Sequence, residues 1–372
     1  MSRTNYKHFD VVGSFLRPQE LKEARQHYEE HTLSKEALTA IEDRCIRQLI
    51  DQQIDAGLPY ITDGEFRRAL WHTDFFWGFN GVERRLLQEG YHFVDLETRS
   101  DTASLSGPIN GEHHPFVEHF IFVRDYVNGR SGLKQTIPAP AQFLVELLRP
   151  ENQISTQTIY PETETLLAAI VNAYTQVIQD LYANGCRLLQ LDDCTWGAYL
   201  SPDSLNKLEI DESAVDSILK QALDLNNALI HNAPDDLVIT THVCRGNYHS
   251  HHAFEGGYQR VADVLFTNEN VSSFYLEFDD ERSGSFEPLK AVSPEKEVVL
   301  GLVTSKNGTL ESKESVIARI RQASTFIPLE RLSLSPQCGF ASTEEGNILS
   351  ESDQWKKVAL IKEIAEELWP KD

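Results

Sequence analysis

Short apolar runs alternate along the chain with longer segments that carry apolar residues at helical spacing. Eight runs predict strands, at 11–15, 59–63, 133–138, 187–192, 237–243, 273–277, 298–303 and 332–335. Helical spacing predicts helices at 33–56, 161–183, 204–231, 313–326 and 354–368, and Ser34 is a candidate N-cap of the first. This alternation predicts an α/β fold of the (β/α)8 TIM barrel type. An open doubly wound sheet is the second interpretation, weakened because no glycine-rich phosphate loop follows the first strand.

Residues 84–132 interrupt the alternation. The segment is polar, and it carries turn signals at Gly107-Pro108, Asn110-Gly111 and Asn128-Gly129-Arg130. We therefore expect one barrel domain over residues 1–372, with an insertion at 84–132 after the second strand. The insertion would form a β-hairpin arm over the mouth of the barrel or at an oligomer contact.

Composition and charge narrow the function classes. The 372 residues are 41% hydrophobic, which supports a substantial core, and the formal net charge is −23. Such a negative chain is a poor partner for nucleic acid or an anionic membrane. The N-terminus has no secretory signal, and no run approaches the ~18 apolar residues of a membrane helix. Five sparse cysteines then indicate free thiols in a reducing, cytoplasmic setting.

Four residues in the last third of the chain predict a metal site. His242 and Cys244 are two apart on a predicted strand, so their side chains point to the same face. Glu277 ends the next predicted strand, and Cys338 follows the last one. If those strands are neighbours, two thiolates, an imidazole and a carboxylate meet, which is a ligand set that zinc accepts. Buried packing residues and a closed structural zinc site are the alternatives, although ligands so dispersed favour catalysis.

Other polar residues also fall at the predicted C-terminal ends of strands, where barrel enzymes place their chemistry. They are Ser14, Asp63, Glu65, Asp192, Asp193 and Lys306. Adjacent strand residues face opposite ways, so only one carboxylate of the Asp192-Asp193 pair points into the site, and we choose Asp192. The segment around Glu65 also reads as a simple turn with solvated charges. His249-Ser250-His251-His252 is expected to be a polar loop.

Five short segments resemble the cobalamin-independent methionine synthase family, in particular its shorter members that carry only the catalytic half. The segments are Val12-Gly13-Ser14-Phe15, Asp63-Gly64-Glu65, Gln190-Leu191-Asp192-Asp193, Thr241-His242-Val243-Cys244 and Ser335-Pro336-Gln337-Cys338-Gly339. Together they span most of the chain. The set around the metal candidates is specific, whereas each of the others is weaker alone.

The resemblance implies a site and a reaction. It implies a (β/α)8 barrel with Zn²⁺ held by His242, Cys244, Glu277 and Cys338, and it implies that Ser14, Glu65 and Asp192 hold the amino-acid end of homocysteine. The reaction would be transfer of a methyl group to the homocysteine thiol to give methionine. Coordination to zinc makes a thiol lose its proton near neutral pH. We hypothesise that the incoming sulfur displaces the Glu277 carboxylate, which leaves the charge of the site unchanged.

Two departures from the family pattern concern the methyl donor. Lys306 stands where folate-dependent members carry a proton-donating histidine, and its reference pKa of ~10.4 suits it less to that role. Residues 194–198 replace a run that helps to bind the pterin, and the separate N-terminal half of longer members is absent. A folate, a corrinoid protein and a small methylated compound all stay open as donors, with Lys306 as a candidate catalytic residue.

Alternatives to homocysteine methylation also stay open. One is a thiol-alkyl transferase with another acceptor, and another is a decarboxylase of the related barrel superfamily, which arginines grouped at a pocket without metal would favour. A third is a non-catalytic protein that binds zinc or a sulfur amino acid. The expected partners are a small-molecule thiol and a methyl donor, which is a folate, a corrinoid protein or a small methylated compound, and a homo-oligomer is compatible with the sequence.

Overall fold

The structure, a computed structural model, describes residues 7–370 and contains a parallel β-barrel surrounded by helices. The strands are β1 (Tyr60–Ile61), β2 (Asn80–Leu86), β3 (His92–Phe93), β4 (Leu96–Glu97), β5 (Asp101–Asn110), β6 (Gly132–Leu133), β7 (Gln135–Pro138), β8 (Leu188–Asp193), β9 (Val238–Val243), β10 (Ser273–Glu277), β11 (Glu297–Val303) and β12 (Leu332–Pro336). The helices are α1 (Gln19–Glu29), α2 (Lys35–Ala56), α3 (Thr73–Phe76), α4 (Pro115–Val127), α5 (Pro140–Leu147), α6 (Gln153–Ile159), α7 (Thr163–Ala183), α8 (Pro202–Lys207), α9 (Val215–Asn232), α10 (Ala262–Asn268), α11 (Lys313–Ala323) and α12 (Glu351–Leu368).

The barrel is built from parallel neighbours in chain order. Strands β7 to β12 form one parallel sheet in which each strand pairs with the next. Strand β1 pairs in parallel with β6, and a parallel bridge joins Phe9 to Leu334 on β12. Helices separate most of these strands, as parallel connections require. The predicted α/β barrel fold is therefore confirmed, and the doubly wound alternative is not needed.

The prediction of a first barrel strand at residues 11–15 is wrong, because no strand lies there. The bridge at Phe9 holds the first position of the barrel instead, with the Asp10 amide donating to Leu334 O. Side chains rather than a strand ladder take the next three backbone carbonyls: Lys134 Nζ donates to Val11 O, Gln190 Nε2 to Val12 O and Thr62 Oγ1 to Gly13 O. Because those carbonyls are satisfied from the barrel interior, residues 11–13 need no neighbouring strand.

The predicted helices mostly begin near their caps. The Ser34 side chain accepts the amide of Ala37 at the start of α2, as predicted. The segment predicted as one helix at 204–231 is divided between α8 and α9, so that prediction is wrong in extent. Glu209 has a φ of 54°, a left-handed conformation that ends the helix, and the sequence around it contains no glycine or proline to signal the break.

The segment between β1 and β6 contains a β-hairpin arm, formed by strands β2 to β5, and a helix. Strands β2 and β5 pair antiparallel, β3 and β4 form a smaller pair at the tip, and α4 leads the chain back to the barrel. The arm tip contacts the loop after β9, because Val94 N donates to His252 O at 3.1 Å and the rings of Phe93 and Tyr248 lie 5.5 Å apart. The arm thus lies at the C-terminal end of the barrel strands.

Apolar side chains fill the space between the barrel strands and the helices. Examples that are fully buried include Leu276, Leu300 and Leu334 on neighbouring strands. Among residues 7–370, no helix is both long enough and apolar enough to cross a membrane.

Candidate metal centre

Four side chains meet at the C-terminal ends of the barrel strands. His242, Cys244, Glu277 and Cys338 each offer a ligand atom, and these atoms all lie within 4.8 Å of one another. All four residues are buried. We call this group the metal cluster. Its donor set of two sulfurs, one nitrogen and one oxygen matches what Zn²⁺ accepts in proteins.

Strand register brings the first three ligands together. In the β9–β10 pair, His242 is level with Tyr275 and Val243 is level with Leu276, so Cys244 and Glu277 follow at the next level. Because β9 and β10 are direct neighbours, the imidazole, one thiol and the carboxylate emerge side by side.

Gly301 on β11 is a residue that the sequence analysis missed, and it allows Cys338 to reach the cluster. A Cβ atom at this position would lie 2.6 Å from Gln337 Cα and 2.8 Å from Leu276 O. Leu276 lies on β10 and Gln337 directly follows β12, and because both contacts are to backbone atoms, neither moves aside easily. The missing side chain therefore allows the segment that precedes Cys338 to pass close to β11.

The imidazole of His242 is oriented by its backbone neighbour. Its Nδ1 lies 3.3 Å from Tyr275 O, which fits an Nδ1–H that donates to the carbonyl. That tautomer leaves the lone pair on Nε2, and Nε2 is buried without a hydrogen-bond partner among the described residues. Histidines that bind metals usually donate one ring N–H to a carbonyl or carboxylate and bind the metal through the other nitrogen, and His242 has this arrangement.

The two thiols contact each other at the centre of the cluster. Cys244 Sγ and Cys338 Sγ lie 3.6 Å apart, and the amide of Gly246 donates to Cys244 Sγ at 3.2 Å. The contact between the sulfurs, reinforced by burial, raises the pKa of Cys338 well above its ordinary value. A bound divalent cation would reverse this, because coordination deprotonates thiols. The buried set of sulfur, nitrogen and oxygen donors, with His242 Nε2 unpaired among the described residues, thus fits a metal ion.

Cys194 is a further residue that the sequence analysis left without a role. It follows β8, and its thiol interacts with that of Cys244. The nearby Gly197 lies so close to β9 that a Cβ atom there would meet Cys244 O at 2.7 Å. A third sulfur therefore lies beside the cluster, on the segment that departs from the family pattern.

Glu277 is ionised by its surroundings. Burial alone would raise its pKa, but the positive charges of Arg282 and Lys306 outweigh burial and lower the pKa to about 2. Its Oε2 accepts from Arg282 Nη1 at 3.1 Å, and its Oε1 accepts from the Arg245 amide at 3.2 Å. The carboxylate is therefore ready to accept a cation without first losing a proton.

Ser14 and Glu65 lie on two loops that meet beside the cluster. The Ser14 side chain packs against the residue after Cys338, since a Cβ atom at Gly339 would lie 1.9 Å from Ser14 Oγ. Glu65 has a φ of 62°, a conformation that residues other than glycine rarely adopt. Its Oε1 accepts from Thr136 Oγ1 at 2.8 Å and pairs with Arg68 at 3.1 Å.

Asp192 and Asp193 face different surroundings. Asp192 Oδ1 accepts from Gln190 Nε2 at 2.7 Å, and burial, followed by the charge of Glu65, raises the pKa of Asp192 to about 8. Asp193 accepts from the Thr195 amide at 2.9 Å and from Trp196 Nε1 at 3.0 Å. Asp193 is therefore a buried residue whose hydrogen bonds hold the surrounding structure together. Asp192 lies near the like charge of Glu65, and its surroundings do not fully compensate a negative charge there.

The remaining candidates lie around the cluster rather than in it. Lys306 Nζ pairs with Asp279 Oδ2 at 2.7 Å, and Asp63 Oδ1 accepts the Glu65 amide at 2.8 Å. The histidine-rich run forms a turn, in which His249 and Ser250 have positive φ angles.

Comparisons with known proteins place the chain in a family. A family model described as the catalytic domain of cobalamin-independent synthase matches residues 154–360. The chain is 39% identical to an uncharacterized protein of Bacillus subtilis, YxjG, over 97% of this chain and 94% of the relative. It is 23% identical to the methionine synthase of Saccharolobus solfataricus over 88% of this chain and 86% of that protein.

Solved structures agree with the fold. The putative vitamin-B12-independent methionine synthase from Listeria monocytogenes has a TM-score of 0.77 at 33% identity, with 98% of each chain covered. A B12-independent methionine synthase from Shewanella, solved with selenomethionine, has a TM-score of 0.72 at 20% identity, with 96% of each chain covered. The fold and site define a TIM barrel with a buried cluster of two cysteines, a histidine and a glutamate that could hold a metal ion. The chain belongs to the cobalamin-independent methionine synthase family, whose activity is methyl transfer.

Proposed function

We propose that this protein is a zinc-dependent methyltransferase that moves a methyl group to the thiol of homocysteine and so makes methionine. The observation that carries this proposal is the metal cluster itself: four buried donors within 4.8 Å of one another, with His242 Nε2 unpaired among the described residues. Zinc bound there would lower the pKa of the substrate thiol, so that the thiol is deprotonated near neutral pH. The named relatives support the choice of homocysteine.

Ser14, Glu65 and Asp192 are proposed to hold the amino-acid end of the substrate. Glu65 and Asp192 are close enough for the charge of one to raise the pKa of the other. An ammonium group between them would compensate both charges and favour ionised Asp192. The substrate would then be held at its amino group while its sulfur reaches the cluster, an arrangement that fixes the reacting atoms in position.

The arginines near the site do not favour the decarboxylase alternative. Arg17 donates to the backbone carbonyls of Phe15, Glu65 and Arg68. Arg68 donates to Thr136 O at 2.8 Å and pairs with Glu65. The terminal nitrogens of both guanidinium groups donate to the protein itself, and only the buried Nε atoms lack a partner among the described residues, so the two arginines do not form a free anion site.

The proposal is tested by metal analysis combined with a methyl-transfer assay. Purified protein is loaded with zinc and assayed for methionine from homocysteine, with a methylated folate, a methylated corrinoid protein and a small methylated sulfur compound as donors. The proposal expects one zinc per chain and methionine with at least one donor. If the protein binds zinc but no donor methylates homocysteine, the non-catalytic binding protein is favoured. If another thiol is methylated instead, the protein is a transferase with a different acceptor.

A further inference from the structure

Glu277 differs from the other members of the metal cluster because both of its carboxylate oxygens already have partners outside it. The Arg245 amide donates to Oε1, and Arg282 Nη1 donates to Oε2. By contrast, His242 Nε2 has no hydrogen-bond partner within residues 7–370. The carboxylate therefore has favourable contacts with the protein besides those that it would make with a cation, and one of them is with the positive charge of Arg282.

Arg282 is itself held by a chain of buried charges. Its Nη2 pairs with Asp279 Oδ1 at 3.0 Å, and Asp279 Oδ2 pairs with Lys306 Nζ at 2.7 Å. The side chains of Arg282, Asp279 and Lys306 are 7%, 2% and 11% exposed. Water screens such pairs little, so the guanidinium is fixed in place against Glu277.

We propose that Arg282, held by Asp279 and Lys306, is a positioning residue that makes Glu277 the metal ligand that yields its place to the substrate sulfur. This inference rests on the proposed function and extends it. Arg282 compensates the negative charge of the carboxylate, so moving Glu277 away from the cation costs less free energy than moving any of the other ligands. The Arg245 amide and Arg282 would keep the carboxylate beside the metal cluster, so that it could bind the cation again after product release.

The arrangement also gives Lys306 a role. Its Nζ is paired with a buried aspartate, so it is poorly placed to deliver a proton to a methyl donor. Its charge instead fixes Asp279, which in turn fixes Arg282. Lys306 thereby acts on the reaction through Glu277 rather than through direct contact with the donor.

The test compares Arg282→Gln and Arg282→Lys with the wild type. Arg130→Gln is the matched control, because Arg130 forms a half-exposed pair with Asp51. Zinc affinity is measured by competition with a chromophoric chelator. In a second measurement, cobalt(II) replaces zinc, and the sulfur-to-cobalt absorption is followed as L-homocysteine is added.

The expected results separate positioning from simple support of the site. Substitution of a residue that hydrogen-bonds to a metal ligand commonly changes metal affinity or activity by about tenfold or more. Arg282→Gln should bind zinc as tightly as the wild type or more tightly, because Glu277 keeps its contacts with Arg245 but loses the guanidinium group of Arg282 that competes with the cation. It should also need about tenfold more homocysteine for half-saturation, which is the size of change that such substitutions commonly cause. Arg282→Lys should fall between the two, and Arg130→Gln should match the wild type.

Two outcomes overturn the role of Arg282. One is weaker zinc binding by Arg282→Gln, and the other is a homocysteine midpoint equal to that of the wild type. If Arg282→Gln does not fold, the midpoint for Arg282→Lys must exceed that of the wild type. If the wild type itself shows no absorption change with homocysteine, the proposed thiol binding fails, and the role of Arg282 fails with it.

Discussion

The sulfur atoms of Cys244 and Cys338 lie 3.6 Å apart, although the two residues are 94 positions apart in the chain. Two sulfurs bound to one tetrahedral zinc at about 2.3 Å each would be about 3.8 Å apart. Closure of the barrel therefore brings the two thiols to nearly the separation that a shared zinc ion requires. Neither residue alone forms a site, so each should be essential for metal binding.

We expect Cys338→Ser to lose its zinc. A serine hydroxyl is a poor zinc ligand, and it leaves Cys244 as the single sulfur in the cluster. Metal content after dialysis, measured by plasma mass spectrometry, should fall from one zinc per chain to near zero. Cys186→Ala is the matched control, because Cys186 is similarly buried but lies two residues before β8, away from the C-terminal ends of the strands. Unchanged zinc in Cys338→Ser would contradict the assignment of this ligand.

Gly301→Ala should damage the same site without changing a ligand. The added Cβ atom would lie 2.6 Å from Gln337 Cα, so the strands must separate. Overpacking of this kind costs about 1–3 kcal/mol of stability, and here it would also displace Cys338. Thermal unfolding and zinc content should both fall. Gly107→Ala, where the nearest atom lies 3.7 Å away, should leave both unchanged.

Homocysteine binding should release a proton from Asp192 in addition to the thiol proton. The pKa of about 8 means that Asp192 is mostly protonated at neutral pH, and a substrate ammonium group would lower that pKa. Calorimetry in buffers of different ionisation enthalpy measures the protons released. Asp192→Asn should release about one proton fewer than the wild type, by the same charge argument. Equal release would mean that the ammonium group binds elsewhere.

Glu269 should make stability fall as the pH rises. Burial, followed by the charge of Asp193, raises the pKa of Glu269 from 4.5 to about 8. Between these values the unfolded chain loses the proton while the folded protein keeps it, so unfolding becomes more favourable as the pH increases and levels off above about pH 8.

Glu269→Gln keeps an oxygen for Asn226, which donates to Glu269 Oε1 at 2.9 Å, and removes the ionisation. Its Tm should therefore fall less than that of the wild type between about pH 5 and pH 8, because the linkage is gone. The exposed Glu287→Gln should behave like the wild type. A Tm difference for Glu269→Gln that does not change with pH would contradict the raised pKa.

Most of the barrel was predictable because its strands are short segments rich in leucine, valine, isoleucine and aromatic residues. Strands β8 to β12 are buried on both faces, and β11 is a nearly continuous apolar run. The first position was not predictable, because residues 11–13 pair with side chains from distant parts of the chain. The break near Glu209 was missed for a similar reason, since a left-handed turn at a glutamate leaves no sign in the sequence.

The metal cluster was predictable from residue type and position at strand ends. Alternation on a strand sets His242 beside Cys244, and parallel strands end at the same edge of the barrel. The roles of Arg282 and Gly301 were not predictable. Arg282 is one of many arginines in a charged loop, and the need for a glycine at 301 arises from the approach of two strands that are distant in sequence.

X-ray absorption at the zinc edge, with and without homocysteine, shows whether the substrate sulfur binds the metal of this cluster. We expect two sulfur scatterers in the free protein and three in the presence of homocysteine, with the loss of one oxygen as Glu277 yields its place. A spectrum that gains no sulfur on addition of homocysteine would contradict this expectation.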